Sequence, residues 1–260
     1  MQSLLIVQMN AAEKREAEFN DWYSHVHIRD VMRMDGAISA QRFVQSAAQP
    51  PFATPADHRF LAFYETCDTA TLSQAHADAA GTDRMVISDA ADMTGPIVCY
   101  YFPIAFEDRD PRPQTAPRHA LYVQFTPAGG REAEGAEDAL AAQCRALFPR
   151  MMATPGIGRG WLARYHRIGQ LVGAKPKGRL VAFFHVDDPG AFLRAAAPAD
   201  FRADAAADVR VTLYDALTDR VTPHGVRHSS DAELAAEQRA RAIARQTHPP
   251  AWQPKVITTD

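Results

Sequence analysis

Hydrophobic residues recur along this chain in two rhythms. Runs such as Leu4-Leu5-Ile6-Val7 and Phe60-Leu61-Ala62-Phe63-Tyr64 carry apolar side chains on both faces of an extended segment, which marks strands that need cover on each side. Between them lie stretches with helical spacing. The pattern predicts a strand over 3–9, a long helix over 12–34, a glycine turn, strands over 37–45 and 59–66, a shorter helix over 69–80 and a strand over 97–103. It then predicts the same series again: strand 119–125, helix 131–152, strands 158–168 and 179–186, helix 188–197, strand 209–215.

The repetition extends to residues. Leu5-Ile6-Val7-Gln8-Met9 returns as Leu121-Tyr122-Val123-Gln124-Phe125, and Arg59 to Asp68 returns as Arg179 to Asp188. Gly36 to Phe43 answers Gly156 to Tyr165. Each copy reads β-α-β-β-α-β, the ferredoxin-like unit. Such a unit has one sheet face covered by helices and one open. The expected fold is therefore α+β: two tandem ferredoxin-like units packing sheet to sheet within one chain, burying Leu61 or Ala62 against Val181 or Ala182. The charged, proline-bearing stretch Glu107 to Pro113 reads as the linker, which divides the chain into 1–110, 111–222 and a C-terminal helix and tail over 223–260. In that last part, Asp231 to Gln246 is a strong helix former with Ser229 or Ser230 placed to cap it. Its apolar positions are mostly alanine, so it should lie on the surface or embrace a partner subunit, leaving a homodimer through this helix and the extended tail around Trp252 open.

Composition narrows the class. The chain has 260 residues, 47% of them hydrophobic, enough for a sizeable core. With 28 basic and 31 acidic residues interspersed and a net charge of -3, it shows no basic footprint for nucleic acid. No apolar run is long enough to span a membrane, and the start reads as a first strand, not a signal peptide. Cys67, Cys99 and Cys144 lack paired spacing, so neither a disulfide framework nor a zinc site is expected; Cys67 and Cys99 read as small buried hydrophobes, and a cytoplasmic setting fits.

Chemistry concentrates in Phe19 to Asp30. At about 100° per residue, Phe19, Tyr23, Val26 and Asp30 share an arc, flanked by Trp22 and His27, while Asp21 and His25 face water as a solvated pair. His27 would act as general base, Tyr23 would donate to a developing oxyanion, and Asp30 would orient the imidazole. Arg42 would hold a carboxylate or enolate, unless it pairs with Glu65 or Asp30. Phe19, Trp22, Phe63 and Tyr64 would form aromatic walls, with Glu65 and its counterpart His185 as further binding candidates. The second long helix has no His, Trp or Tyr and fills the corresponding face with Leu140, Cys144, Leu147 and Phe148, as a helix with packing duties alone would. There is no metal-binding spacing, and Gly156-Ile157-Gly158-Arg159-Gly160 follows a helix and opens a strand, the wrong context for a dinucleotide loop.

Asn20-Asp21-Trp22-Tyr23, then His27-Ile28-Arg29-Asp30, a glycine turn and Ile38 to Phe43 resemble the EthD-like branch of the dimeric α+β barrel superfamily, as does Leu61 to Glu65. Arg29 stands where relatives often carry Pro. The motifs cover roughly residues 3–105; the second copy resembles the fold without them. The resemblance implies an intrachain barrel with its pocket beside the first helix, and a small hydrophobic aromatic or lactone-like substrate. It implies isomerase, cyclase or lyase chemistry without a cofactor, cofactor-free oxygenation of a phenol as an alternative, or non-catalytic binding of a small molecule. Haem occurs in some members, but no residue here marks an axial ligand.

Overall fold

Strands apolar on both faces must be covered on both faces, and this chain achieves it by closing its strands into a ring. The computed structural model describes residues 3–54, 56–80, 82–109, 117–128, 135–166, 172–173 and 179–246. Four strands come from the first half, β1 (Ser3–Met9), β2 (Ala37–Gln45), β3 (Phe60–Thr66) and β4 (Ile97–Asp108), in the order β4-β1-β3-β2. Five come from the second half: β5 (His119–Pro127), β6 (Ile157–Tyr165), the two-residue β7 (Val172–Gly173), β8 (Leu180–Val186) and β9 (Ala206–Ala216). The four longer ones lie in the matching order β9-β5-β8-β6. The edges then join antiparallel: β2 pairs with β9 from Phe43↔Ala216 to Gln45↔Tyr214, and β4 pairs with β6 from Tyr101↔Tyr165 to Asp108↔Arg159. β7 adds to the start of β4.

This geometry refines the expected sheet-to-sheet packing. A four-stranded array has two edges with unpaired backbone groups, and edge pairing satisfies both at once. The interior receives alternate residues from all eight long strands, among them Leu4, Phe63, Cys99, Tyr122, Trp161, Phe183 and Tyr214. Phe63 stacks on Phe183 at 4.0 Å between ring centres, so the lumen is a packed core. Leu61 and Val181 belong to that interior, whereas Ala62 and Ala182 face the helices. Glu107 and Asp108, expected in the linker, are strand residues opposite Gly160 and Arg159; 110–116 lie outside the described residues.

Helices cover the outside. The first half carries α1 (Glu16–Trp22), a π-helical turn (Tyr23–His27), α2 (Ile28–Met32) and α3 (Thr69–Ala79). The second carries α4 (Ala136–Ala153) and α5 (Pro189–Ala195), followed by α6 (Pro223–Arg227) and α7 (Asp231–Gln246). Each long helix returns to the sheet through a glycine with positive φ, Gly36 (90°) and Gly156 (88°); at Gly156 a Cβ would lie 2.2 Å from the Asp188 carbonyl oxygen. α7 starts with a capping box: Ser230 Oγ accepts from the Glu233 N–H (3.3 Å) and the Glu233 carboxylate accepts from the Ser230 N–H (2.8 Å). Its alanine side is used within the chain, with Ala240 and Ala244 packed into the first half's outer core. Leu234 and Ile243 are exposed, and the tail with Trp252 lies outside the described residues. Cys99 and Cys144 are buried, but Cys67 follows the end of β3 and is exposed. Among the described residues no helix is long and apolar enough to cross a membrane.

Candidate active site

The helix that carries His27 departs from regular α geometry at the point where its chemistry lies. The Ile28 N–H donates to the Tyr23 carbonyl, five residues back, so the turn holds one residue more than an α turn. On a regular helix Trp22 and His27 would diverge by about 140°. The wide turn brings them together instead: Trp22 and His27 ring centres are 4.9 Å apart, and Tyr23 and His27 4.7 Å. The same insertion rotates everything downstream. Asp30, expected beside His27, points to α7, where Arg241 Nη1 donates to its carboxylate (3.2 Å), joined by Arg33 Nη1 from the end of its own helix (3.1 Å). It does not orient His27. Arg241 and Arg33 also donate to Glu237, as does Arg29 Nε (2.8 Å), locking α7 across α2. Burial works to raise the Glu237 carboxyl, but these guanidinium hydrogen bonds outweigh it and bring it down to about 2.

Trp22, Tyr23, His27 and Tyr64 line one cavity of about 60 Å³ between the outer sheet face and the helices. Its floor is Leu5, Val7 and Val98 of β1 and β4; its far wall is His76 and Ala80 with Met85, Ile87 and Met93. The Trp22 indole N–H donates to the Val86 carbonyl at 2.8 Å, tying the helix to that wall. The Tyr23 and Tyr64 hydroxyls are 3.0 Å apart and share a hydrogen bond. Burial pushes the Tyr23 phenol up to about 12 and Tyr64 well above its ordinary value. Burial likewise lowers His27 to about 3, helped by His76 and Arg42, and lowers His76 to about 4, so both imidazoles are neutral at pH 7. The Nδ1 atoms of both are buried without a hydrogen-bond partner among the described residues, a state that costs about 1–3 kcal/mol per group.

Arg42 stands behind this wall. It is 1% exposed and reaches neither Glu65 nor Asp30; among the described residues no carboxylate pairs with it. Its guanidinium instead donates to the Asn20 carbonyl (3.2 Å), Asn20 Oδ1 (2.9 Å) and Ser24 Oγ (2.6 Å), and its Cζ lies 4.3 Å from the Tyr23 ring centre. A buried cation with only neutral partners projects positive potential through Tyr23 toward the cavity. Burial lowers even this guanidinium to about 10.

The other sequence candidates lie elsewhere. Phe19 is core, packed on Trp22, Tyr23 and Phe60. Phe63, Glu65 and His185 share the face of their strands that points into the barrel. Glu65 accepts from Ser39 Oγ (2.5 Å) and pairs with Arg220; His185 lies 5.0 Å from Trp161 between ring centres. Burial, with Arg159 and Arg220 nearby, lowers His185 to about 3. Asp21 and His25 form the expected solvated pair, 3.7 Å apart. Sequence reasoning missed His76 and the methionines Met9, Met85 and Met93. His76 falls four residues after the buried Leu72, which puts it on the inward stripe of α3, and that spacing was the available signal. Among the described residues no cluster of three His, Cys, Asp or Glu could hold a metal ion.

No family model and no curated protein sequence matches the chain. Solved structures do match in fold. A putative monooxygenase from Fusobacterium nucleatum subsp. nucleatum superposes with a TM-score of 0.54 at 10% identity, covering 84% of this chain and 93% of that one. An anthrone oxidase-like protein superposes with a TM-score of 0.52 at 13% identity, covering 84% and 92%. At these identities the likeness is one of fold, and it places the chain's architecture among the ferredoxin-like α+β barrels.

Proposed function

We propose that this protein is an enzyme that removes a proton from a small hydrophobic, aromatic or lactone-like molecule held in the cavity beside His27. One observation carries the reading: an apolar cavity brings together neutral imidazoles, a phenol pair and a buried guanidinium that no described carboxylate neutralises. His27 takes the proton. Its partly buried, apolar surroundings disfavour an isolated imidazolium, so the proton arrives as an anion forms beside it. The Tyr23–Tyr64 pair hydrogen-bonds the developing oxyanion, and Arg42 adds positive potential from behind. Isomerisation, cyclisation or elimination would follow from the same anion without a cofactor. Exchange of carbon-bound hydrogen for deuterium in candidate phenols and lactones in D₂O tests the step. Exchange lost in His27→Gln supports it; exchange unchanged in that variant removes His27 from the chemistry.

A second reading shares the first step. The proteins named as a putative monooxygenase and as anthrone oxidase-like have this fold, and in that reading the substrate anion passes electrons to O₂. Oxygen uptake during turnover separates the two. We also read the chain as a duplicated unit, 1–110 and 111–222, followed by 223–260, with the EthD-like motif confined to the first copy. Matching strand order and the paired glycine turns at Gly36 and Gly156 support this.

A further inference from the structure

We propose that His76 is the second proton-handling group of the cavity, and that His27 and His76 together select a ligand whose ionisable hydroxyl sits between their rings. The inference rests on the reading of this cavity as the substrate site. The two imidazoles come from different elements, the π turn and α3, yet both line the same space, 6.4 Å apart between ring centres. Neither ring has a hydrogen-bond partner among the described residues, and each has its Nδ1 shut off from water. A neutral imidazole carries one donor and one acceptor. With each nitrogen about 1.2 Å from its ring centre and hydrogen bonds of about 2.8 Å, two bonds meeting at a tetrahedral oxygen span about 6.5 Å between ring centres. That is the separation found.

The division of labour follows. His27 accepts the hydroxyl proton: the ligand O–H bond breaks, an N–H bond forms on His27, and the electron pair stays on oxygen. His76 donates its N–H to that oxygen throughout. Among the described residues no carboxylate lines the cavity to compete for the proton, and the positive potential from Arg42 favours the resulting oxyanion. The space of about 60 Å³ is smaller than the ~150 Å³ void that takes a benzene ring, so a ring enters only as the opposite wall of Met85, Ile87 and Met93 moves aside; that wall is apolar and readily reshaped, which suits a flat hydrophobic body. The ligand class is therefore a weakly acidic phenol or enol.

The test compares 4-nitrophenol with nitrobenzene, which lacks the hydroxyl, on the full chain. The wild type should bind 4-nitrophenol at least about tenfold more tightly, and His76→Phe should remove that preference, bringing its affinities for the two probes together. Histidine ¹⁵N NMR on the wild type provides a reading that needs no variant to fold: 4-nitrophenol, but not nitrobenzene, should move the ring-nitrogen signals of both His27 and His76. Movement of His27 alone, or an undiminished preference in His76→Phe, overturns the role of His76 and leaves the cavity as the site. Failure of the wild type to bind either probe overturns the site reading and this inference with it.

Discussion

Burial, near-complete for His185 and partial for His27 and His76, keeps the three rings neutral, at about 3 for His27, 4 for His76 and 3 for His185 against an ordinary value near 6.5. Between those values the unfolded chain binds protons that the folded chain refuses, so stability is complete above about pH 6.5 and declines as pH falls toward 3. Each histidine contributes at most about 1.4 kcal/mol per pH unit over that window. Urea unfolding at pH 7.5, 6 and 5 should show the decline, and a triple His→Gln variant should flatten it; equal slopes would mean these rings do not resist protonation. For turnover, His27→Ala should cost about 10²- to 10⁴-fold with the unfolding midpoint little changed. At this scale the sequence announced the imidazole, the phenols and the indole of the cavity, because a polar cluster on an apolar helix face is conspicuous beside its plain counterpart in α4. It misassigned Asp30, because 3.6 residues per turn does not hold across a turn that carries one more. It left His185 undecided, since strand alternation shows that Glu65 and His185 share a face but not what that face meets.

Among elements, the π turn decides what the site contains. Deleting His25, which is exposed and sits within the turn, should restore α geometry while the flanking segments keep their facing. The expected result is a folded chain whose Asp30 still meets Arg241 and whose His27, now four residues and about 40° from Trp22, keeps the cavity face, checked by near-UV circular dichroism and retained activity. An inactive but folded deletion variant would show that the site needs the wide turn itself and not only the facing it sets. Glu237 is the pin that sets α7 against α2. Glu237→Gln leaves Arg29, Arg33 and Arg241 facing a neutral amide and should cost about 2 kcal/mol in urea unfolding. That is below the ~3–5 kcal/mol of a fully buried pair because Arg33 is 40% exposed. Most element boundaries were legible from periodicity and glycine turns. The exception was β4, where charge at Glu107 and Asp108 reads as linker although Asp108 is matched by Arg159 across the barrel seam.

The whole molecule is a ring closed by two seams, one at β2–β9 and one at β4–β6, with α7 laid back over the first half. Its existence followed from strands too apolar to leave either face wet; its closure through the edges did not, because side-chain patterns say nothing about where backbone edges meet. Residues 1–110 produced alone would keep both edges of their array open and lack α7. In sedimentation they should form a homodimer or aggregate, and a soluble monomer would contradict the closed ring. The β2–β9 seam has a further consequence during synthesis. The edge at Gln45 finds its partner only when Tyr214 has been made, roughly 10–30 s later at ordinary translation rates of about 5–20 residues per second. Throughout that interval the ribosome carries a half-barrel with an unpaired strand and no cover on its helix, so yield in cells should depend on chaperones that shield nascent chains.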